Sequence, residues 1–415
     1  MKTAYIVSTG TELLLGNTMD TNAEYLSREL SAMGFKVIGR TTVGDDREMI
    51  KRALRTGYEL AELVVCTGGL GPTLDDLSRE AAAEVLNLPL EHSEPEMERI
   101  RDYFARRRRE MPDSNRRQAM FPAGARILVN RVGTASGFMV GQNGRTLVML
   151  PGPPREMEAV CKEGLKPMLR DMIRRSERVV LTRTIKTMGL GESQVESLLA
   201  EVIADPEGCS IALLAKDGEV HIRVTREGAS DSETERILDS VIGRMYGKLG
   251  DNIYGEGDET LPGVVVRLLC DKGNTVALAE SCTGGLVAKM ITDIPGSSAV
   301  LWGGTVSYSN DAKTRILGVS EETLKRYGAV SPETAREMAR GMRNLAGSTF
   351  GLSLTGIAGP EGGTDEKPVG LVYLGMATAG GEETRELRLL GGRDGIRTLA
   401  AKTALDWLRR TLERE

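Results

Sequence analysis

A chain of 415 residues is longer than a single hydrophobic core ordinarily grows, so two or three domains are expected. Hydrophobic residues at 40% and charged residues at 27% place it with ordinary globular proteins that have material for sizeable cores. A formal charge of −5 argues against an extended nucleic-acid footprint, which is normally basic.

The 49 glycines exceed the usual share of about 7%. Many follow apolar runs directly, which points to strand-to-loop turns at active sites rather than to linkers. Cys66, Cys161, Cys209, Cys270 and Cys282 are scattered, odd in number and without a Cys-x-x-Cys pair. That pattern speaks against a disulfide framework or zinc site and for a reducing, cytoplasmic compartment. Residues 1–7 lead straight into a strand without a long apolar signal region, and no stretch approaches about 18 apolar residues, so no membrane span is expected. His92 and His221 are the only histidines. Neither has a catalytic setting, so a Ser-His-Asp mechanism is not expected.

From the N-terminus to residue 173, strand and helix patterns alternate. Strands are predicted over Ala4–Ser8, Phe35–Thr42, Leu63–Thr67 and Leu147–Leu150, with helices over Thr21–Met33, Asp45–Leu60 and Leu74–Leu86. The alternation predicts a parallel sheet covered on both faces. A charged helix over Pro95–Glu110 ends in Arg106–Arg109, a solvated face or an anion contact. Residues 174–255 read as a small α+β module. It comprises strand Val179–Thr187, helix Ser193–Ala204, strands Cys209–Ala215 and Glu219–Thr225, and helix Asp231–Leu249. Asp251–Glu259, with two glycines among acids, reads as a linker.

Residues 256–415 form another α/β domain. Leu261, Val264, Val265, Leu268 and Leu269 recur at amphipathic helical spacing. Strands follow over Thr275–Ala279, Ala299–Ser307, Phe350–Leu354 and Leu371–Thr378, with helices over Leu286–Ile294, Glu333–Ala346 and Arg397–Leu412.

Ligands bind at the carboxyl ends of strands in open α/β sheets. One such end delivers Ser281, after which Cys282-Thr283-Gly284-Gly285 opens a helix whose free N–H groups could hold a phosphate or a developing oxyanion. Another leads through Thr355 into Gly356-Ile-Ala-Gly359-Pro-Glu-Gly-Gly, where glycines permit close backbone approach. Both also fit simple tight turns. Tyr308-Ser-Asn-Asp-Ala-Lys313 lies between them. A serine nucleophile needs a base, and without a suitable histidine Lys313 is the candidate. Its reference pKa near 10.4 must fall by about 2 to 3 units, which burial or a neighbouring cation can achieve.

AESCTGG, GSS, YSNDAK, GAVS, TGIAGPEGG and KPVG, in this order, resemble the nicotinamide-mononucleotide amidase domain of the CinA family. The resemblance implies hydrolysis of the nicotinamide carboxamide to nicotinic acid mononucleotide and ammonia. It also implies a Ser281–Lys313 dyad with no cofactor, Tyr308, Ser298 and Thr355 nearby, and a phosphate contact from Arg393 or Arg397. Cys282 is the rival nucleophile, with a packed structural role as its alternative. A pyridinium substrate would further favour the neutral form of Lys313.

In the first domain, glycine turns recur at strand ends: Thr9-Gly10-Thr-Glu12, Gly68-Gly69-Leu-Gly71-Pro72-Thr73, and Gly152 in Pro-Gly-Pro-Pro. They suit a phosphate or pyrophosphate. Asp45, Asp46, Asp75 and Asp76 suggest a divalent cation, with helix capping as the alternative reading. This region resembles the molybdopterin-binding fold, and more closely the N-terminal domain of CinA proteins. That implies a pyrophosphatase dependent on Mg²⁺, Mn²⁺ or Co²⁺, with K⁺ as a second ion, cleaving ADP-ribose to AMP and ribose 5-phosphate. Asp45 and Asp76 match the acidic positions of the molybdopterin-binding relatives, and Asp75 joins them as a candidate ligand.

The middle module resembles the family's KH-like domain, with Gly189-Leu-Gly-Glu in place of a GxxG loop. The acidic balance makes a spacer the preferred role and direct nucleic-acid binding unexpected. A homodimer is expected by family analogy. Alternative readings keep the amidase with a nucleotide- or pterin-sensing N-terminal domain, or make the chain an accessory factor in DNA uptake or recombination.

Overall fold

The computed structural model describes residues 2–174 and 179–415; the boundary expected at 173/174 adjoins residues 175–178, which lie outside the described residues. The chain divides into two compact units, Met1–Thr182 with Arg226–Arg236, and Arg183–Thr225 with Ile237–Glu415.

In the first unit the strands are β1 (Thr3–Thr9), β2 (Lys36–Val43), β3 (Leu63–Thr67), β4 (Leu90–His92), β5 (Met120–Pro122), β6 (Arg126–Leu128), β7 (Gly137–Gln142) and β8 (Arg145–Leu150). The helices are α1 (Thr11–Leu14), α2 (Thr21–Ala32), α3 (Arg47–Leu60), α4 (Ser78–Leu86), α5 (Glu94–Arg106), α6 (Pro154–Val160) and α7 (Lys166–Arg174). The main sheet has the order β2-β1-β3-β8-β7-β6. Its first four strands are parallel, as the alternation predicts. β7 and β6 return antiparallel.

The period-2 alternation of strand side chains explains the two cores. Tyr5, Val7, Val64, Cys66, Leu147 and Met149 pack with Ile50, Leu54, Ala81 and Ala82 of α3 and α4. Ala4, Ile6, Leu63, Val65, Val148 and Leu150 pack with Leu26, Leu30, Met157 and Val160 of α2 and α6. Strands buried on both faces read as continuous apolar runs, which is why β1, β3 and β8 are legible.

The small module comprises β9 (Val179–Met188), α8 (Glu192–Leu198), α9 (Ala200–Ala204), β10 (Ser210–Lys216), β11 (Glu219–Gly228), α10 (Asp231–Leu249) and β12 (Ile253–Glu256), and all but the start of β9, the end of β11 and the first turns of α10 belongs to the second unit. They form a sheet of order β10-β11-β9-β12. The expected linker over Asp251–Glu259 is therefore partly a strand: β12 pairs antiparallel with β9, and Tyr254 is buried with its hydroxyl bonded to Glu219 at 2.6 Å. The acids that suggested a linker lie around it, Glu259 accepting from the Glu256 amide at 2.9 Å.

The remainder comprises α11 (Leu261–Lys272), β13 (Val276–Glu280), α12 (Leu286–Thr292), β14 (Leu301–Val306), α13 (Asn310–Leu317), α14 (Glu321–Tyr327), α15 (Pro332–Ala346), β15 (Phe350–Gly356), β16 (Leu371–Thr378), β17 (Gly381–Arg388) and α16 (Arg393–Arg414). The sheet order is β14-β13-β15-β16-β17. β14, β13 and β15 are parallel, and β16 and β17 antiparallel. Thr260 caps α11 through the Gly263 amide, and Gly273 in the left-handed region ends it. Within this unit α16 holds the small module: Lys402 pairs with Glu219 at 2.9 Å, and the buried Arg409 donates to the carbonyls of Asp251 and Ile253. No described helix is long and apolar enough to cross a membrane.

Candidate active site

Ser281 follows β13 directly, and its amide donates to the Leu354 carbonyl of β15 at 2.9 Å. Alternation along β13 sends Ala277 and Ala279 to the face covered by Leu317, Val319, Met338 and Met342. Ser281 continues that parity and meets α13. There Lys313 Nζ lies 3.0 Å from Ser281 Oγ and 2.7 Å from the Ser307 carbonyl. Lys313 is 1% exposed and Ser281 8%. Burial holds the lysine below its ordinary value, only partly opposed by the neighbouring Cys282. A buried amine with no carboxylate partner and a hydroxyl in hydrogen-bond reach has the composition of a nucleophile and its base.

Cys282, the rival nucleophile, is buried, and desolvation pushes its thiol up to about 11. Such a thiol is a poor thiolate source.

Sequence reasoning placed free amides beside Ser281. Most are committed. The buried Glu280 turns its carboxylate to the other face of the sheet and accepts from the amides of Gly285, Val287 and Ala288 at 3.0, 3.2 and 2.9 Å. The Gly284 and Leu286 amides bond back to Ser281 and Thr283. Those of Cys282 and Thr283 remain, facing the Cys282 sulfur. Gly284 and Gly285 take φ of +62° and +92°, which the sharp turn into α12 requires. Glu280 escaped sequence reasoning because a lone acid at a strand end carries no periodic signal.

Arg393 and Arg397 separate by position. Arg393 donates to the Gly359 carbonyl at 2.7 Å and reaches the exposed Tyr308 hydroxyl at 3.4 Å. Arg397 is drawn inward, donating to the Thr283 carbonyl at 2.7 Å, with its Nε buried and unpartnered. Thr355, on the same face of the sheet as Ser281, donates its hydroxyl to the Ala329 carbonyl at 2.7 Å. Lys367 secures the same loop through the carbonyls of Tyr327 and Val330. A Cβ on Gly356 would stand 2.7 Å from the Leu371 carbonyl, so this glycine answers to packing. Ser298 is exposed in the turn preceding β14. Ser281 adjoins the other end of that strand, so about 20 Å of extended chain separates them within one chain.

In the first unit, the carboxyl ends of β1, β2, β3 and β8 surround a cavity of about 390 Å³. Thr9, Gly10, Glu12, Asp45, Gly68, Gly69, Asp75, Asp76 and Gly152 line it; Gly71, Pro72 and Thr73 do not. Thr73 instead donates its amide and hydroxyl to Asp76. The turn this makes is why α4 starts at Ser78 rather than at Leu74. Asp45 likewise accepts from the Thr11 amide and hydroxyl, both at 2.8 Å, and Asp46 caps α3 through the Met49 amide. The helix-capping alternative thus holds for Asp46, which does not line the cavity, whereas Asp45 and Asp76 line it and tie down Thr11 and Thr73, and no side chain caps α4. No three His, Cys, Asp or Glu residues among those described are grouped to hold a metal ion. The donors fit a hard cation only as one or two carboxylates completed by substrate phosphates and water, the usual habit of Mg²⁺. Asn22, unmarked in the sequence, lines the cavity and donates to Thr67 Oγ1 and the Gly152 carbonyl at 2.9 and 2.7 Å.

A parallel-centred α/β domain with a buried serine–lysine pair at the strand ends, preceded by a second α/β domain and a small α+β module, defines the class. The chain belongs to the CinA family. Residues 258–412 match the CinA C-terminal domain, 182–255 the "Damage-inducible protein CinA KH domain", and 5–171 the "Probable molybdopterin binding domain". A CinA-like protein of Syntrophomonas wolfei is 49% identical over 413 residues, covering 100% of this chain and 99% of that one. A CinA-like protein of Kosmotoga olearia is 44% identical over 409 residues, covering 99% and 98%. Among solved structures, a competence/damage inducible protein of Agrobacterium tumefaciens is 45% identical, covering 37% of this chain and 93% of that one, with a TM-score of 0.36.

Proposed function

We propose that the C-terminal domain is an amidase that hydrolyses the carboxamide of nicotinamide mononucleotide. The observation that carries it is the buried Lys313 amine 3.0 Å from Ser281 Oγ. The neutral amine takes the hydroxyl proton as Oγ attacks the carboxamide carbon. The tetrahedral intermediate collapses with its C–N bond breaking, and the lysine returns the proton to the departing ammonia. Water then attacks the acyl-serine, again giving its proton to Lys313, and the ester C–O bond breaks to leave the carboxylate and restore Ser281. The balance is one amide and one water to one carboxylate and one ammonium, with no cofactor. Arg393, at the mouth with Tyr308 and Gly359, is the phosphate contact on this reading; Arg397 steadies the Ser281 turn. The test follows ammonia from nicotinamide mononucleotide for the parent and Ser281→Ala. An inactive parent, or an undiminished variant, refutes the reading.

A second activity has its own support in the cavity of the first unit, where carboxylates and glycine turns meet at four strand ends. We propose that it cleaves the pyrophosphate of ADP-ribose, with one or two of Asp45, Asp76 and Asp75 sharing a divalent cation with the substrate phosphates and water. The cation would supply charge neutralisation at the phosphates, while the Gly68-Gly69 turn admits them close to the backbone. AMP release from ADP-ribose with Mg²⁺, Mn²⁺ or Co²⁺, with and without K⁺, tests it; no AMP under any of these conditions refutes it. A cytoplasmic homodimer completes the proposal, its assembly state measurable by light scattering.

A further inference from the structure

The hydrogen-bond inventory around Lys313 is incomplete, and a neighbouring side chain can complete it. A neutral amine has one lone pair and two N–H groups; an ammonium has three N–H groups. As the base, Lys313 turns its lone pair to the Ser281 hydroxyl and gives one N–H to the Ser307 carbonyl. Once it holds the proton, three N–H groups need acceptors, and only Ser281 Oγ and the Ser307 carbonyl are provided. A buried, charged donor left unpaired is costly.

Ser307 is fully buried and its hydroxyl has no partner. The register shows where that hydroxyl faces. β14 runs parallel to β13 with Ala279 opposite Thr305 and Glu280 opposite Val306. The ladder continues one step further, the Ser307 amide donating to the Glu280 carbonyl at 2.8 Å. Two residues beyond Thr305, Ser307 shares the face of Ala279 and Ser281, the face on which α13 lies. Its own carbonyl already touches Nζ. Rotation about one side-chain bond is all that an acceptor there requires.

We propose that Ser307 is a positioning residue whose hydroxyl accepts the third N–H of Lys313 whenever that amine holds the proton of Ser281. This rests on the serine–lysine reading above, not on the identity of the substrate. The charged surroundings are few. Cys282 faces Lys313 from the turn after β13, while Glu280 is turned to α12 on the other face. On α13 itself Asp311 and Arg315 pair with each other at the surface. α15 presents Met338 and Met342 on this face, β15 the hydroxyls of Ser353 and Thr355, and β14 Thr305. Tyr308 is exposed beside Arg393.

The test compares the full-length parent with Ser307→Ala, Ser307→Thr and Thr283→Val. Thr283 carries the other buried, unpartnered hydroxyl of the site. Two rates are followed against pH: ammonia release from nicotinamide mononucleotide, and labelling of Ser281 by a small alkyl fluorophosphonate, which needs the dyad but not the substrate. Loss of an acceptor disfavours the ammonium, so the acid limb of Ser307→Ala should move to lower pH by about one unit, with the plateau falling about ten-fold. Ser307→Thr should restore the parent limb, and Thr283→Val should leave its position unchanged. A limb unmoved or moved upward in Ser307→Ala overturns the proposal, as does a limb that moves in Thr283→Val alone. If the nucleotide is inert in the parent while the labelling limb behaves as stated, the substrate reading fails and the role of Ser307 stands. Tryptophan fluorescence during urea unfolding, from Trp302 and Trp407 together, confirms that each variant folds.

Discussion

Replacing Glu280 with alanine removes the acceptor for three amides of the turn that carries Ser281, at 3.0, 3.2 and 2.9 Å. Loss of a side-chain cap ordinarily costs about 0.5–2 kcal/mol, and each buried donor left unpaired about 1–3 kcal/mol. Val287 is buried, whereas Gly285 and Ala288 are half-buried, so water can repair part of the loss at the latter two. The sum is about 3 kcal/mol for alanine and about 1 kcal/mol for glutamine, which retains one acceptor oxygen. The two tryptophans, Trp302 and Trp407, both belong to the second unit, so their fluorescence in urea reports that unit alone. Amidase turnover should fall with the order of the turn, at least ten-fold in Glu280→Ala. An unfolding free energy within about 0.5 kcal/mol of the parent would refute the capping argument.

Three further outcomes are expected. Lys313→Met should abolish the amidase yet stabilise the fold: the folded lysine is depressed by burial, so the unfolded chain holds more protons and parent stability rises with pH up to the ordinary lysine value. The gain from methionine, read by urea unfolding, should therefore be full below the folded value and shrink above it. Glu219 meets the opposite case. Burial pushes it up, but bonds from His221, Tyr254 and Lys402 outweigh this and hold it at about 2. Its stabilisation, about 1–3 kcal/mol, is present above about pH 4.5 and lost as pH falls towards 2, and an acid titration of Glu219→Gln should lack that loss. Gly69→Ala should disrupt the first unit's cavity, because the residue takes φ +66° and its Cβ would meet Ser78 Oγ at 2.2 Å. ADP-ribose hydrolysis should fall while ammonia release from nicotinamide mononucleotide persists.

Much of the architecture was legible because buried parallel strands are continuous apolar runs between helical periodicities, as in Leu63–Thr67 and Val276–Glu280. Two of the strands missed had no such pattern. Gly381–Arg388 is an exposed edge carrying charges on both faces, and Ile253–Glu256 is a short strand among acids. The dyad was legible as chemistry by elimination: two histidines in poor settings left a lysine as base. Its spacing was not, since 32 positions separate residues that only the β13–α13 packing brings together.

What the sequence determined by itself was the kind of chain: three regions, glycine turns at strand ends, and a serine and a lysine in motifs of one family. The tertiary structure decided what those residues can do. Register fixed the face on which Ser281 meets Lys313, and burial there holds the amine below its ordinary value. It also withdrew amides from the expected anion site by giving them to Glu280, and set Ser298 at the far end of its strand. Such outcomes depend on parity and distance across the sheet, which local sequence does not encode.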